Sequence, residues 1–319
     1  MLDVLSGGRL VAGFPVGTSM DTNFCYGEVP ATLREKYFEA HDLIIRAWKE
    51  KEQFSFNGKF TKLRYVNLWP KPLQQPHPPV WIPGGGSVET WDFVAEHDYQ
   101  YSFLSYFGYM AGKKVADGYW NVMSKKGKEL NPYSLGFAQV VAVSETDEQA
   151  ERDYAPHMDY FYNRCLHVYP GFADAPGYRT PSTIKAGLLG QVGKQASLIR
   201  EGLTWKDFLN EGYVIAGSPA TVRDRLRDAL KSLNCGHLMI LQQIGSMPPD
   251  LTRKSTELFA REVMPRLRDL WTGFEDKWSP KRLPANEMAK PAPLPSDAPK
   301  TNGKARTSSA EAEIRSSVK

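Results

Sequence analysis

Residues 80–91, VWIPGGGSVETW, predict a strand, a glycine-rich turn and a helix in that order. The apolar run that begins this stretch stops at Pro83, and three glycines follow. Ser87 then opens a segment in which apolar residues recur at the spacing of one helix face. A strand that enters a helix through a short turn is the repeating unit of α/β folds.

This glycine-rich turn is also a candidate anion site. Glycine lets the backbone approach a ligand closely, and the N–H groups at a helix N-terminus attract anions such as phosphate. The stretch is neither a dinucleotide fingerprint nor a P-loop, because Glu89 stands where a third fingerprint glycine would fall and no Gly-Lys-Ser/Thr follows. A βα turn with a serine N-cap that binds nothing has the same residues, so both interpretations stay open.

Charge argues against a nucleic-acid partner. The chain has 319 residues and a formal charge of +4, but from Glu275 onward nine Lys or Arg face six Asp or Glu. The tail therefore carries most of the positive charge, and the rest of the chain is near neutral, unlike a protein that binds a phosphate backbone.

Several other classes of site are not supported by the sequence. The three cysteines, Cys25, Cys165 and Cys235, are far apart and predict neither a disulfide framework nor a zinc site. The six histidines form no HExxH or similar cluster, so we expect no metal, and no Gly-x-Ser-x-Gly elbow is present. With no long apolar run and no signal-peptide pattern, we expect a cytoplasmic protein without a membrane partner.

Strands and helices alternate along the chain. The predicted strands are continuous apolar runs rather than alternating ones, which favours a parallel sheet covered by helices. Five βα units do not by themselves distinguish a barrel from a doubly wound sheet. The predicted strands lie near residues 10–14, 79–83, 99–104, 137–143 and 237–241.

Three further segments interrupt this alternation. An Asn57-Gly58 turn signal within residues 54–79 predicts a small hairpin followed by a Pro-rich connection. Residues 165–212, rich in Gly, Pro and Tyr, are too long for a plain connection and predict an insertion over a site. Residues 275–319, rich in Pro, Ser and Lys, predict a disordered tail after a folded part at 1–274.

The chain resembles the bacterial-luciferase-like family of flavin-dependent monooxygenases over residues 2 to about 271. The order and spacing of five stretches carry this resemblance: LDVLSGGRL (2–10), HDLIIRAW (41–48), PKPLQQPHPPVWIPGGGSVET (70–90), GSPATVRDRL (217–226) and LFAREVMPRLR (258–268).

The resemblance implies an α/β fold that is an incomplete (β/α)8 TIM-like barrel. The segment like 2–9 closes the helix after the family's third strand, so this chain would hold strands 4 to 8 and lack the first three βα units. We therefore expect a truncated or mis-started reading frame of a longer enzyme. A partial barrel leaves two open edges, which favours a homo-oligomer over a monomer.

The resemblance also places the cofactor. It puts the flavin phosphate on Gly84, Gly85, Gly86 and Ser87, at the C-terminal ends of the strands where barrel sites lie. The family often has an arginine after its fourth strand to pair with this phosphate, whereas this sequence has Val16. Other residues that could line the flavin are Gly13, Phe14, Pro15, Gly17 and Thr18, together with Gln242 or Gln243 after the last strand.

Three functions are compatible with this sequence. The first is an FMN-dependent monooxygenase that uses reduced flavin and dioxygen on a small organic substrate, with a separate flavin reductase. The second is a deazaflavin-dependent hydride-transfer oxidoreductase, and the third is an inactive fragment of such an enzyme. His167, Tyr169 and Tyr178 are candidates for substrate contact. We name no catalytic residue, because the family's catalytic histidine, where known, lies in the early strands.

Overall fold

Strands and helices alternate along most of the described chain. The computed structural model describes residues 1–17, 26–104, 108–165 and 202–284. Its strands are β1 Ala12–Gly13, β2 Phe54–Asn57, β3 Lys62–Val66, β4 Val80–Gly84, β5 Gln100–Leu104, β6 Leu135–Val143, β7 Val214–Gly217 and β8 His237–Leu241. Its α-helices are α1 Leu2–Ser6, α2 Leu33–Lys49, α3 Val88–His97, α4 Tyr109–Lys125, α5 Asp147–Asp159, α6 Trp205–Asn210, α7 Pro219–Leu233 and α8 Pro249–Leu258.

Six of these strands form one parallel sheet, which has the shape of a half-barrel. The strand order is β1-β4-β5-β6-β7, and β8 pairs with β6 on its other side. Consecutive strands of a barrel are neighbours, and here β1, β4, β5, β6 and β8 follow one another in this way. The α/β class, the parallel sheet and all five predicted strands are confirmed. The absence of three preceding units stays a prediction.

Strand β7 is the element that sequence reasoning missed. It pairs in parallel with the C-terminal part of β6, from Val140 opposite Val214 to Val143 opposite Gly217. Its four residues are all buried. So short a run at the end of a long irregular segment gives too little pattern to be recognised as a strand.

The two faces of the sheet have different partners. One face packs against helices through alternate strand residues such as Ile82, Tyr101 and Phe137, which are fully buried. Because successive strand side chains point to opposite faces, the residues between them face the inside of the half-barrel. The inward residues include Trp81, Pro83, Gln100, Ser102, Leu104, Gly136, Ala138, His237, Met239 and Leu241.

The hairpin prediction is confirmed, with a wider turn than expected. Strands β2 and β3 pair in an antiparallel sheet of two strands. Between them, the Glu39 carboxylate of α2 accepts hydrogen bonds from the backbone N–H groups of residues 59–61. The carboxylate thus holds the hairpin tip against α2.

The end of the predicted insertion belongs to the packed body. Thr204 and Asp207 form a capping box that starts α6, and Phe208 of that helix is buried against α5. Residues 202–212 are therefore not part of a loose cover. Residues 166–201 lie outside the described residues, and with them His167, Tyr169 and Tyr178.

The packed body also extends beyond residue 274, the position at which the sequence analysis predicted that it ends. Trp278 is only 7% exposed, accepts a hydrogen bond from the Trp81 indole at 2.9 Å and donates one to the Asp98 carbonyl at 2.9 Å. Asp276 lies 3.1 Å from His237 Nε2. Residues 275–282 thus cover the N-terminal ends of the strands and are part of the unit that ends at Arg282. The composition of residues 275–319 is dominated by Pro, Ser and Lys, so it did not predict that one tryptophan of this segment packs against the body.

A cluster of histidines joins the C-terminal halves of α2 and α3. His41 is 3% exposed, donates through Nδ1 to the Asp42 carboxylate and accepts from the Tyr99 hydroxyl at 2.8 Å. The His97 ring centroid lies 4.8 Å from that of His41. His77 and Tyr99 complete the cluster, which lines a cavity of about 500 Å³ together with Asp42, Ile45, Arg46, Lys49 and Glu50.

Burial in this cluster predicts a loss of stability in acid. Burial lowers the pKa of His41, with the Asp42 hydrogen bond opposing it, and burial likewise lowers the pKa of His77. The unfolded chain therefore binds protons at these histidines more readily than the folded chain. The free energy of unfolding should be fully retained above about pH 6.5 and should decrease as the pH falls below it.

The measurement is the midpoint of thermal unfolding between about pH 8 and about pH 5.5. We expect the wild-type midpoint to fall on acidification and His41→Gln to fall less steeply. His157→Gln, at a histidine that bonds Ser246 on the surface, is the matched control and should keep the wild-type slope. Equal slopes for all three proteins would contradict this assignment.

Candidate anion and cofactor site

The glycine turn lies at the C-terminal end of β4 and leads directly into α3. Ser87 is the N-cap residue of this helix, although its side chain makes no capping hydrogen bond. Its backbone carbonyl accepts the N–H groups of Thr90 and Trp91. The N-terminus of a ten-residue helix therefore faces the turn, as the sequence predicted.

Two of the three glycines in the turn are required by the fold, each for a different reason. A Cβ at Gly84 would lie 2.9 Å from Cε2 of the Tyr101 ring, and Gly86 has a φ of +111° that other residues rarely adopt. Gly85 has neither constraint, because a Cβ there would meet nothing within 4 Å in the described structure. The fold explains Gly84 and Gly86, whereas the exposed Gly85 leaves open space beside the backbone that a ligand can enter. We call the backbone from Gly84 to Ser87 the cradle.

A cation stands beside this cradle, and sequence reasoning missed it. Arg34, in the first turn of α2, donates a hydrogen bond through Nη2 to Ser87 Oγ at 3.3 Å. Ser87 Oγ in turn donates to Glu89 at 2.8 Å. A positive charge in the first turn of a helix is unfavourable next to the helix dipole. The position of Arg34 was therefore the one feature of the sequence that could have identified it as a candidate binding residue.

Arg34 supplies the charge that Val16 does not. Val16 and Gly17 follow β1, which is the neighbour of β4, so both lie at the same end of the sheet as the glycine turn. Val16 is half-buried and Gly17 has a φ of +96°. Positive charge at the turn thus comes from a helix that packs beside it. Thr18 lies outside the described residues.

The prediction that Phe14 lines the flavin is not supported by its position. The Phe14 ring is stacked on Trp48 of α2, with centroids 5.8 Å apart, and its carbonyl accepts the Tyr37 hydroxyl at 3.0 Å. Both contacts are on the helix side of the sheet. The side chain leaves β1 on the face opposite to the inside of the half-barrel, a consequence of strand alternation that the sequence analysis did not apply to this residue.

Gln242 lies across the mouth from the glycine turn. It follows β8, which is three strands from β4 in the order β4-β5-β6-β8, or about 14 Å at ordinary strand spacing. Its amide nitrogen Nε2 is buried and has no hydrogen-bond partner within the described residues. A buried donor without an acceptor is unfavourable.

The inner surface between these two points is neutral and largely apolar. The inward side chains nearest the mouth are Leu104, Ala138, Met239 and Leu241, and Leu241 is 53% exposed. None of these four side chains can act as an acid or a base. The surface can hold a flat ring system or an apolar substrate, with Gln242 as a donor at its edge and the glycine turn as an anion site beyond it.

Metal-ligand clusters and membrane-spanning helices are both absent from the described ranges. Among residues 1–17, 26–104, 108–165 and 202–284, no three or more His, Cys, Asp or Glu side chains are arranged to hold a metal ion. Within the same part of the chain, no helix has the length and apolar character needed to cross a membrane.

The chain belongs to the luciferase-like monooxygenase family, whose model matches residues 1–234. A relative of known activity is the FMNH2-dependent dimethylsulfone monooxygenase of Pseudomonas putida, which is 23% identical over 272 residues, or 84% of this chain and 69% of the relative. The sequence-based identification of the family is therefore confirmed.

Solved structures with the same fold include enzymes with two kinds of cofactor. One is the oxygenating constituent of 3,6-diketocamphane monooxygenase from Pseudomonas putida in complex with FMN, with a TM-score of 0.61, 18% identity and coverage of 83% of this chain and 75% of that one. Another is an F420-dependent secondary alcohol dehydrogenase, with a TM-score of 0.58, 16% identity and coverage of 84% and 72%. At this identity the likeness shows the fold alone.

Substituting Gly85 with alanine tests the cradle. Since a Cβ at this position meets nothing within 4 Å, Gly85→Ala should keep the wild-type unfolding midpoint. If a phosphate approaches this backbone, the methyl group should weaken FMN binding by about tenfold, roughly one displaced hydrogen bond. Isothermal titration with FMN measures the change.

Gly273→Ala is the matched control, because a Cβ at Gly273 also meets nothing within 4 Å and the residue is remote from the turn in sequence. It should bind FMN as the wild type does. Wild-type affinity in Gly85→Ala would show that no ligand approaches the cradle.

Proposed function

We propose that this chain is a flavin-dependent oxidoreductase that binds reduced FMN and acts as a monooxygenase on a small, uncharged organic substrate. The observation that carries the proposal is the anion cradle, in which the glycine turn, the α3 N-terminus and Arg34 converge at the carboxyl end of a barrel strand. When bound there, reduced flavin would supply the electrons with which dioxygen oxidises the substrate.

The residues of this chain contribute binding and orientation. The cradle would hold the phosphate through backbone N–H groups and the Arg34 guanidinium, as anion sites at helix N-termini do. Gln242 Nε2, a buried donor without a partner within the described residues, would hydrogen-bond the edge of the ring system. The apolar surface of Leu104, Ala138 and Met239 would keep the ring and the substrate away from water.

Family membership and relatives support the class of chemistry. The dimethylsulfone monooxygenase relative is FMNH2-dependent, and the diketocamphane monooxygenase structure contains FMN. We accordingly propose dioxygen as co-substrate and a separate reductase as the source of reduced flavin. A homo-oligomer also stays part of the proposal, because within the described residues β1 and β8 each pair with a strand on one side only.

A deazaflavin-dependent hydride transfer is the second candidate. Two structures of the same fold belong to enzymes that use coenzyme F420: the secondary alcohol dehydrogenase, and a tetrahydromethanopterin reductase from Methanopyrus kandleri with a TM-score of 0.55. An anion cradle suits the phosphate of either cofactor, so the glycine turn does not separate the two.

Titration of the purified chain with FMN and with F420, followed by cofactor fluorescence, tests the proposal. We expect FMN to bind more tightly than F420. Arg34→Ala should weaken FMN binding by about 10- to 100-fold, the loss expected for a charged hydrogen bond to phosphate. Arg34→Lys should recover part of the affinity through its charge.

Arg46→Ala is the matched control for this experiment. Arg46 lies on the same helix, but its guanidinium stands over the Phe54 ring at 4.0 Å, far along α2 from Arg34. It should bind FMN normally. Tighter binding of F420 would favour the second candidate, and binding of neither cofactor would contradict both.

A further inference from the structure

Beneath the glycine turn lies a buried tyrosine whose hydroxyl forms no hydrogen bond of ordinary geometry within the described residues. Tyr101 of β5 is 0% exposed, and its ring packs against Tyr119 of α4, with centroids 5.3 Å apart and planes 25° from parallel. The edge of the ring also contacts the turn, because a Cβ at Gly84 would lie 2.9 Å from Tyr101 Cε2. Tyr101 is therefore part of the surface on which the turn rests.

The polar atoms around this hydroxyl are hydrogen-bond donors. Burial raises the pKa of Tyr101 to about 12, whereas the Trp91 side chain and the backbone N–H of Gly86 oppose this increase. The Trp91 indole and the Gly86 N–H can only donate. The hydroxyl oxygen can accept from them, but its own hydrogen finds no acceptor there.

Two orphaned donors therefore lie under the candidate anion site. The Tyr101 hydroxyl and Trp91 Nε1 are both buried, and neither forms a hydrogen bond of ordinary geometry within the described residues. Trp91 belongs to the first turns of α3, and the two rings meet edge to face with centroids 6.4 Å apart. Unsatisfied buried donors are rare and unfavourable, so their place below a helix N-terminus calls for a physical reason.

We propose that Tyr101, with Trp91, forms a floor of donors that holds the Gly84–Gly86 turn for a phosphate and thereby makes the site selective for the phosphorylated cofactor. Tyr101 acts through the turn and is a positioning residue. This inference rests on the proposed function, because it requires that a phosphate binds at the turn. An anion bound at the turn would place a negative charge beside the Tyr101 and Trp91 donors.

The test compares Tyr101→Phe with the wild type in binding both FMN and riboflavin, which differ only by the phosphate. We expect Tyr101→Phe to raise the Kd for FMN by about five- to tenfold, as for loss of one hydrogen bond near a charge, and to leave the Kd for riboflavin unchanged. Because the hydroxyl forms no hydrogen bond of ordinary geometry within the described residues, its removal should leave the unfolding midpoint unchanged or raise it.

Tyr119→Phe is the matched control with the opposite pattern. Tyr119 is equally buried, but its hydroxyl donates to the Ser134 carbonyl at 3.1 Å, away from the turn. This variant should lower the unfolding midpoint and keep the wild-type ratio of FMN to riboflavin affinity. Trp91→Phe, which retains a ring and loses the indole N–H, should lower the ratio as Tyr101→Phe does.

The outcomes separate this proposal from the one on which it rests. If the wild type prefers FMN and Tyr101→Phe keeps that preference, the role of Tyr101 is overturned and the phosphate site stands. If Tyr101→Phe weakens the binding of FMN and of riboflavin equally, or lowers the unfolding midpoint, the hydroxyl has only a structural role. If the wild type binds riboflavin as tightly as FMN, the phosphate site itself is wrong.

Discussion

The parallel alignment of the strands is the constraint on which the site depends. Because β1, β4, β5, β6 and β8 run in one direction, the loops that follow them meet at the C-terminal ends of the strands, which we call the site edge of the sheet. The glycine turn, Gly17 and Gln242 are far apart in sequence, yet all three follow strands and so share this edge. The opposite edge, covered by residues 275–282, is held by Trp278 and has no role at the proposed cradle.

Two helices connect the edge of the site to the rest of the body. At one end of the α2 and α3 pair, Arg34 bonds Ser87 beside the cradle, and at the other end His41 and His97 are in ring contact. The position of Arg34 on α2 therefore places its guanidinium beside the turn. The arrangement gives the turn a positive charge even though the residue after β1 is a valine.

The sequence predicted the strand, turn and helix at residues 80–97, the five principal strands and the family, because those features depend on local pattern and on motif order. It did not predict β7, which is four residues long, or the packing of Trp278, which depends on contacts with distant residues. It named Phe14 as a residue that could line the flavin, although the ring packs against Trp48 of α2, and it did not find Arg34 or Tyr101. Their roles depend on which helix packs beside which turn, and a single sequence contains no direct record of that packing.

The central claim is that the backbone at Gly84–Ser87 and the Arg34 side chain bind the phosphate of a flavin. The most direct measurement is a crystal structure of this chain grown with FMN. We expect phosphate density within hydrogen-bond distance of the turn N–H groups and of the Arg34 guanidinium, with the ring directed towards Gln242. Phosphate density elsewhere, for example in the histidine-lined cavity between α2 and α3, would contradict it.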